Sequence, residues 1–471
     1  MEGNVSDLVR NAEAILARAL ANGGDLAEIF LEETAMTTIR FEDRKVERVV
    51  TGSDAGVGIR LLIGEETLYA HTNDVSLEGM LKAADIVAGG ASASKGNYSF
   101  DFKPECFNMP VKVPAHEITT QRKVALVTAA EKAARGYDPR IVQVAVSYAD
   151  SLRRAVICNS DGRFVEYVRP QIILNVQVVA GQADIIQTGY YPAGGTLGFE
   201  LFDTEDPESV ARTAAAEACL MLDAQPAPTG RMPVVLSSEA GGTLIHEAVG
   251  HGIEADLVDK GMSKYCGRLG EMIAVPEVTV VDDGTLPFRR GTSPVDDEGT
   301  PTQRNVLIED GRLVRLMTDL RTARKMAMPP TGNGRRESYQ HKPVPRMTNT
   351  MIAPGKNNPA DILASTERGL FVRIMGGGQV NTLNGDFVFE IREGYLINNG
   401  KAETPVRGAT LIGNGPEVLN MIEAVGTDLG FRIGTCGKEG QGAPISMAQP
   451  TICIRELTVG GTAQSQTQEG S

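Results

Sequence analysis

Two of the five histidines in this 471-residue chain, His246 and His251, lie within one six-residue segment. Glu247 directly follows the first of them. A His-Glu pair followed shortly by a second His on a predicted helix is the arrangement by which zinc peptidases present two metal ligands and a general base. The segment therefore predicts a metal centre ligated by His246 and His251, with Glu247 placed to take a proton from water.

The spacing of the two histidines sets a geometric requirement. Each residue of a regular α-helix turns the chain by about 100°, so side chains five positions apart diverge by about 140° and cannot reach one ion. Gly250 directly precedes the second histidine and permits a bulge or a π-type turn, which would return both imidazoles to one face. The pattern alone also fits a packed Ala/Gly-rich segment, so the predicted site depends on that turn.

A catalytic zinc site has three protein ligands and one open position. The residues leave several candidates for the third ligand: Glu254, Asp256, His341 and a cysteine. Cys436 stands in a segment whose four glycines permit close backbone approach, and Lys438 favours a thiolate there. The alternative role for Cys436 is that of a small, half-buried apolar residue.

Composition and charge narrow the class of partners. The chain has 46 basic and 60 acidic residues and a net charge of −14, so it lacks the electrostatic driving force of nucleic-acid binders, and we expect neither nucleic acid nor membrane as a partner. The first residues show no signal-peptide pattern, which predicts a cytoplasmic protein. The six cysteines are scattered and are predicted to be free thiols, with Cys453 in a buried strand.

The distribution of apolar residues predicts an α+β fold. Helices are expected at about 5–21, 76–87, 117–134 and 207–222, with strands within 27–73 and 141–189. The order helix, strands, helix occurs twice at an offset of about 112 residues, which indicates an internal duplication.

A stretch of small residues and two prolines at 224–230 indicates a domain boundary. We therefore expect an N-terminal α+β domain at 1–224 and a mainly antiparallel β domain with the HExxxH helix at 231–462. A flexible tail is expected at 463–471.

Three polar tripeptides that end in glycine predict hairpin turns in the second half: Asp282-Asp283-Gly284, Glu309-Asp310-Gly311 and Asn398-Asn399-Gly400. The acidic run Asp296-Asp297-Glu298 is expected on a solvated loop. Binding of a cation or of a basic peptide is the alternative for these acidic groups.

A series of ordered segments makes the second half distinctive: 246–251, 280–285, 296–304, 330–339, 345–350, 376–380, 411–417 and 436–441. On these segments the chain resembles the TldD/PmbA metallopeptidase family, while the first half resembles it in organisation more than in residues. The resemblance implies a zinc peptidase whose ligands are His246, His251 and Cys436.

The resemblance also carries expectations about assembly and substrate. Because the HExxxH motif is complete, the chain resembles the catalytic branch of the family and not the TldE/PmbA branch, which lacks the motif. The family implies hydrolysis of unfolded peptides inside a dimer cavity, formed either by a homodimer or by a heterodimer with a TldE/PmbA-like subunit.

Peptide capture is expected to use an exposed strand edge, because main-chain pairing accepts many sequences in extended form. The predicted lining residues are Gly376, Gly377, Gly378 and Gln379, for which a plain turn is the alternative. Candidates for substrate contact and for stabilising the developing oxyanion are Arg335 and His341, with Tyr339 and Arg336 as further helpers. Ordinary salt bridges for the arginines and a surface position for His341 are the alternatives.

Two other functions are alternatives to metal-dependent hydrolysis. A peptide-binding scaffold with a structural metal needs no base beside its ligands, and such sites are normally closed by four ligands. A serine hydrolase using Ser237 or Ser238 would need a nucleophile elbow, and the sequence has none.

Overall fold

The computed structural model describes residues 5–92, 98 and 100–462, with side chains described from residue 11 onward. The predicted tail at 463–471 lies outside the described residues. The helices are α1 (Val5–Ala19), α2 (Leu77–Gly89), α3 (Thr120–Arg135), α4 (Pro207–Asp223), α5 (Thr243–Ile245), α6 (Ala255–Asp259), α7 (Leu320–Lys325), α8 (Pro359–Ser365) and α9 (Gly415–Leu419).

The strands of the first half are β1 (Leu26–Glu42), β2 (Lys45–Ile63), β3 (Glu66–Thr72), β4 (Lys103–Asn108), β5 (Ile141–Asn159), β6 (Arg163–Gln182) and β7 (Ile185–Gly195). They form one sheet in the order β3-β2-β1-β5-β6-β4, with β7 also paired to β6. All these pairs are antiparallel except β4 with β6. Each half of the sheet follows the order helix, three strands, helix, and descent from an internal duplication stays a prediction.

Three of the four predicted helices, α2, α3 and α4, have a local start signal. Ser76 accepts a hydrogen bond from the backbone of Gly79 at the start of α2, and Asp206 does the same for Ser209 ahead of Pro207 in α4. The third helix begins at Thr120, three residues later than expected, because Thr119 caps it through the backbone of Arg122.

The first sheet is buried on both faces. Ile29 and Phe30 are neighbours in β1 and therefore point to opposite sides. Ile29 packs in a cluster with α1 and α2, whereas Phe30 packs with Val295 and Tyr339 of the second half. One face thus carries helices, and the other contacts the part of the chain that follows residue 224.

The strands of the second half are β8 (Gln225–Pro226), β9 (Gly230–Leu236), β10 (Val280–Asp283), β11 (Arg304–Glu309), β12 (Arg312–Leu313), β13 (Gly334–Arg335), β14 (Val344–Pro345), β15 (Asn349–Ile352), β16 (Arg368–Val380), β17 (Asp386–Asn398), β18 (Lys401–Arg407), β19 (Ala409–Asn414), β20 (Ile422–Val425), β21 (Gly430–Lys438), β22 (Gln441–Gln449) and β23 (Ile452–Gly460). Pairings β16-β9-β23-β19-β17-β16 close a ring of strands. A six-stranded sheet, β12-β11-β10-β15-β22-β21, shares one apolar core with that ring. The fold is mixed helix and strand, and the second half is mainly antiparallel, as expected.

Two of the three predicted hairpin turns are present. Asp310 and Gly311 connect β11 to β12, and Asn399 and Gly400 connect β17 to β18, all four with positive φ as this turn requires. The third prediction is wrong. Asp282 is fully buried in β10 and accepts hydrogen bonds from Thr348, Thr350 and Asn333.

The solvated loop expected at 296–298 is also wrong, since Asp296, Asp297 and Glu298 are at most 4% exposed. Glu298 lies 2.6 Å from the guanidinium of Arg60, and Asp297 accepts a 2.5 Å hydrogen bond from the hydroxyl of Tyr167. Their partners stand more than a hundred residues earlier, so the local sequence could not reveal them. These acids join the two halves of the molecule.

Every one of the six cysteines is a free thiol, and Cys453 is buried in β23, as predicted. In the described part of the chain, no helix combines the length and the apolar character that crossing a membrane would take.

Candidate metal centre

The segment that carries the histidine pair is a π-helical turn, His246–Gly250, between α5 and a 3-10 turn at His251–Ile253. The backbone N–H of His251 donates to the carbonyl of His246, five residues earlier. This wider turn brings the imidazole rings to a centroid distance of 5.1 Å at an interplanar angle of 78°. The local geometry that the five-residue spacing requires is therefore present.

Gly250 has a different role in this turn from the one expected. Its φ of −50° is ordinary helical backbone, so conformational freedom is not what the position needs. A β-carbon at this position would lie 2.1 Å from the sulfur of Met347, which is fully buried. Glycine is required because the turn packs closely against that side chain.

Cys436 reaches the histidine pair from β21, the edge strand of the six-stranded sheet. Its sulfur lies 3.3 Å from Nε2 of His251, and ligand atoms of Cys436, His246 and His251 all lie within 4.8 Å of one another. Cys436 is 5% exposed and His246 is 3% exposed. Two imidazoles and one thiol thus converge at a buried point.

The charges of the three groups are coupled. Burial alone would raise the pKa of the Cys436 thiol, but hydrogen bonds and charge from His246 and His251 outweigh it and lower the pKa to about 5. Burial acts to lower the pKa of His251, yet Glu254 and the Cys436 sulfur outweigh it and hold that pKa well above its usual value. A metal ion that binds here must displace the proton of His251.

Glu254 and Asp256, two candidates for the third ligand, lie beside the centre and bind other groups. Glu254 accepts from Nδ1 of His251 at 3.0 Å, and Lys438 donates to both Glu254 and Asp256. His341 lies elsewhere, with its Nδ1 3.1 Å from the hydroxyl of Ser338.

The donor set fits a zinc ion. Nδ1 of His246 is buried without a hydrogen-bond partner among the described residues, as expected of a ring whose polar atoms meet a group other than protein. Nitrogen and thiolate ligands are those that zinc prefers, and three of them leave one position open. These residues therefore define a candidate three-ligand metal centre.

Glu247 lies on the π-helical turn and is half-buried. The strand β16 contacts this turn. Its terminal residues Gly377, Gly378 and Gln379 are exposed, and Gly376 is half-buried. One edge of β16 pairs with β17. The other edge pairs with β9 only from Leu370 to Val372, so beyond Val372 this edge has no strand partner among the described residues and is open.

The arginine candidates lie in the interior. Arg335 is 3% exposed and donates to the carbonyls of Met347 and Pro444. Arg336 pairs with Glu28 of the first sheet at 2.5 Å, and Tyr339 is buried against that sheet. Arg336 and Tyr339 thus hold the two halves together, whereas Arg335 connects segments of the second half, and these internal partners argue against contact with a peptide.

Sequence reasoning missed Arg346, which is 1% exposed. Its guanidinium donates to the carbonyl of Cys436 and, at 3.1 Å, to that of Gln441. It thereby fixes the backbone of Cys436. Nothing in the residue pattern around Arg346 pointed to this role, because its acceptors are main-chain atoms about 90 positions away.

Known proteins to which this chain is similar include metallopeptidases, which agrees with the candidate metal centre that the geometry defines. Three family models match in chain order: PmbA/TldA metallopeptidase domain 1 at 27–94, the central domain at 114–222 and the C-terminal domain at 229–461. A protein of Haemophilus influenzae named metalloprotease TldD homolog is 38% identical over 452 residues, which cover 93% of each chain.

Two solved structures share the fold. A protein of Thermotoga maritima described as a modulator of a DNA gyrase has a TM-score of 0.78 at 25% identity, over 96% of this chain and 100% of that one. TldE from Thermococcus kodakarensis has a TM-score of 0.76 at 20% identity, over 96% and 100% of the two chains. The chain belongs to the PmbA/TldD metallopeptidase family, as a TldD member.

Proposed function

We propose that this protein is a zinc-dependent metallopeptidase that hydrolyses unfolded peptides, with His246, His251 and Cys436 as zinc ligands. The observation that carries the proposal is the convergence of these three donors on one buried point beside Glu247. The name of the Haemophilus relative supports metal-dependent proteolysis. The nitrogen and sulfur donors favour zinc over the oxygen-seeking cations.

Glu247 is the proposed general base. When bound, zinc supplies a Lewis acid that polarises the scissile carbonyl. The carboxylate of Glu247 then takes the proton from the attacking water and returns it to the leaving amine. Its place next to His246 on the π-helical turn supports this role, because the base and a ligand move as one unit.

The open edge of β16 is the proposed peptide site. Main-chain groups from Gly376 to Gln379 would pair with an extended substrate, and the absence of side chains at three of these positions lets the two backbones approach. Such pairing excludes folded proteins, since their strands are already paired. His341 remains a candidate for substrate contact, whereas the buried position of Arg335 argues against including it.

A dimer that encloses this edge completes the proposal. The dimer is proposed to be either a homodimer or a heterodimer with a TldE/PmbA-like subunit. Measuring the mass of the native complex separates the two. The competing function is a peptide-binding scaffold with a structural metal, which would bind the same substrates without cleaving them.

One experiment tests the enzymatic proposal. Purified protein is expected to contain one zinc per chain and to cleave a disordered peptide until a chelator removes the metal. Glu247→Gln should retain zinc and lower kcat by roughly two to four powers of ten. Glu423→Gln, a change at an exposed carboxylate of β20, is the matched control and should leave both unchanged.

Each alternative has its own outcome. Stoichiometric zinc without chelator-sensitive cleavage would support the scaffold. Unchanged cleavage by a zinc-loaded Glu247→Gln protein would remove Glu247 from the mechanism while leaving the metal site intact.

A further inference from the structure

The hairpin that carries Cys436 is tied to the histidine segment by one buried ammonium group. Lys438 follows Cys436 by two positions in β21, so the two side chains point to the same face. The side chain of Lys438 is only 8% exposed although it stands next to the hairpin turn at Glu439 and Gly440. A lysine at a hairpin end normally extends into solvent.

The ammonium of Lys438 uses all three of its donors. It lies 3.0 Å from Oε2 of Glu254, 2.6 Å from Oδ1 of Asp256 and 2.9 Å from the carbonyl oxygen of Pro345. The two carboxylates are 0% and 3% exposed. Buried charge-assisted hydrogen bonds of this kind are short and directional.

Glu254 transmits this constraint to a ligand. The same oxygen that meets Lys438 accepts a hydrogen bond from Nδ1 of His251, so Nε2 of that ring faces the sulfur of Cys436 at 3.3 Å. These contacts form a closed loop. It runs from Cys436 along β21 to Lys438, then to Glu254 and His251, and returns to the sulfur of Cys436.

We propose that Lys438 is a positioning residue that holds two zinc ligands, Cys436 and His251, at ligand distance before the ion binds. This inference rests on the proposed function. We call Lys438, Glu254 and Asp256 the lysine clasp. The clasp determines how closely the hairpin packs against the histidine segment, and it fixes the ring orientation of His251. Groups that orient a metal-bound histidine typically change metal affinity by 10–100-fold when removed.

The test compares Lys438 with Lys260, which directly follows α6 and contacts the turn of the same hairpin through Glu439. Lys438→Met keeps the aliphatic stem and removes the charge, whereas Lys260→Met removes an exposed lysine that pairs with Glu439 at 3.3 Å. Zinc affinity is measured by competition with a chelator, and the thiolate-to-cobalt absorption band is recorded after cobalt(II) replaces zinc. We expect Lys438→Met to bind zinc 10–100-fold more weakly with an altered cobalt band, Lys438→Arg to recover part of both, and Lys260→Met to match the wild type.

The outcomes separate the clasp from the function on which it rests. Wild-type affinity and an unchanged cobalt band in Lys438→Met would overturn the clasp even if the protein is a zinc peptidase. A wild-type protein that binds no zinc would overturn the proposed function and the clasp together. If Lys438→Met does not fold, Glu254→Gln takes its place, and unchanged affinity in that variant would be equally decisive against the clasp.

Discussion

Cys436 and His251 stabilise each other's charged forms at a place that is shielded from water. A buried thiol by itself would stay protonated, and a buried imidazole by itself would stay neutral. Glu254 on one side of the ring and the Cys436 sulfur at 3.3 Å on the other stabilise the imidazolium of His251, whereas His246 and His251 together stabilise the thiolate of Cys436. The lowered pKa of Cys436 therefore favours a thiolate in the metal-free site.

This state predicts how the metal-free protein reacts with iodoacetamide. Because the pKa of Cys436 is lowered to about 5, its alkylation should already be fast at pH 6 and should slow only as the pH falls through about 5. Mass spectrometry of the labelled peptides measures the rate, with Cys436→Ala to assign the fast phase. Added zinc should protect the thiol. Alkylation of Cys436 that first accelerates above pH 8 would contradict the prediction.

Side-chain identity and spacing were enough to predict two of the proposed ligands, His246 and His251, and the base Glu247. Cys436 was one of several candidates until the family resemblance selected it, and the residues that support the ligands were not predicted. His246, Glu247 and His251 form a local pattern that any reader of the sequence can see. Lys438, Glu254 and Arg346 act through contacts that span about 90 to 184 positions, and such contacts exist only after folding. Spacing along a chain carries no information about which distant carbonyl an arginine will find.

The π-helical turn converts a five-residue spacing into a shared face, and it depends on a close contact with β15 and the segment before it. Met347 is fully buried under the turn, and Gly250 leaves room for its sulfur. Turns of this type are rare and are frequently found at functional sites. The requirement for the turn could be derived from the sequence, whereas its packing partner could not.

A single added methyl group tests this packing. Gly250→Ala should lower the free energy of unfolding by about 1–3 kcal/mol, because the buried Met347 must move aside. Gly89→Ala in α2 is the matched control, since a β-carbon there meets nothing within 4 Å, and its stability should be equal or slightly higher. Urea denaturation followed by circular dichroism gives both values. Equal stability of Gly250→Ala and the wild type would refute the packing role.

The two halves of the molecule are joined by buried charges and not only by apolar contact. Asp297 accepts hydrogen bonds from the hydroxyl of Tyr167 and the backbone of Arg336, with the guanidinium of Arg153 3.7 Å away. Burial alone would raise the pKa of Asp297, but these partners, Arg153 foremost, lower it to about 2. Removing one member of such a network leaves the others uncompensated.

Stability should therefore depend on pH through Asp297. A carboxyl group whose pKa is lower in the folded protein stabilises it above the unfolded value, about 3.8, and this contribution is lost as the pH falls toward 2. Asp297→Asn should lower the free energy of unfolding by about 2–4 kcal/mol at pH 7, and the deficit should shrink between pH 4 and pH 2.

The control for this experiment is an exposed pair. Asp161 meets Arg324 of α7 at the surface, and Asp161→Asn should change stability by less than about 1 kcal/mol at any pH. Denaturant titrations at pH 7, 4 and 3 provide the comparison. A deficit for Asp297→Asn that stays constant with pH would mean that the substitution acts through shape and not through charge.

At the scale of the whole molecule, contacts between distant segments limited how much of the fold could be predicted from the sequence. Helix starts, two hairpins and the mixed fold follow from local patterns, because capping and turn residues act on their near neighbours. The run at 296–298 has the acidic residues typical of a surface loop, and it becomes buried only because β2, β5 and β6 pack against it. Its burial is a property of the assembled chain.

The thiol of Cys436 follows His251 by 185 positions, and β23, which completes the ring of strands, ends at Gly460. A chain still being translated thus exposes its histidine pair long before the sulfur has been synthesised. Domains fold as units during synthesis, so all three donors can meet only after β21 and the strand β23 have been synthesised. A growing chain that has not yet reached Cys436 therefore lacks the third donor of the proposed metal centre.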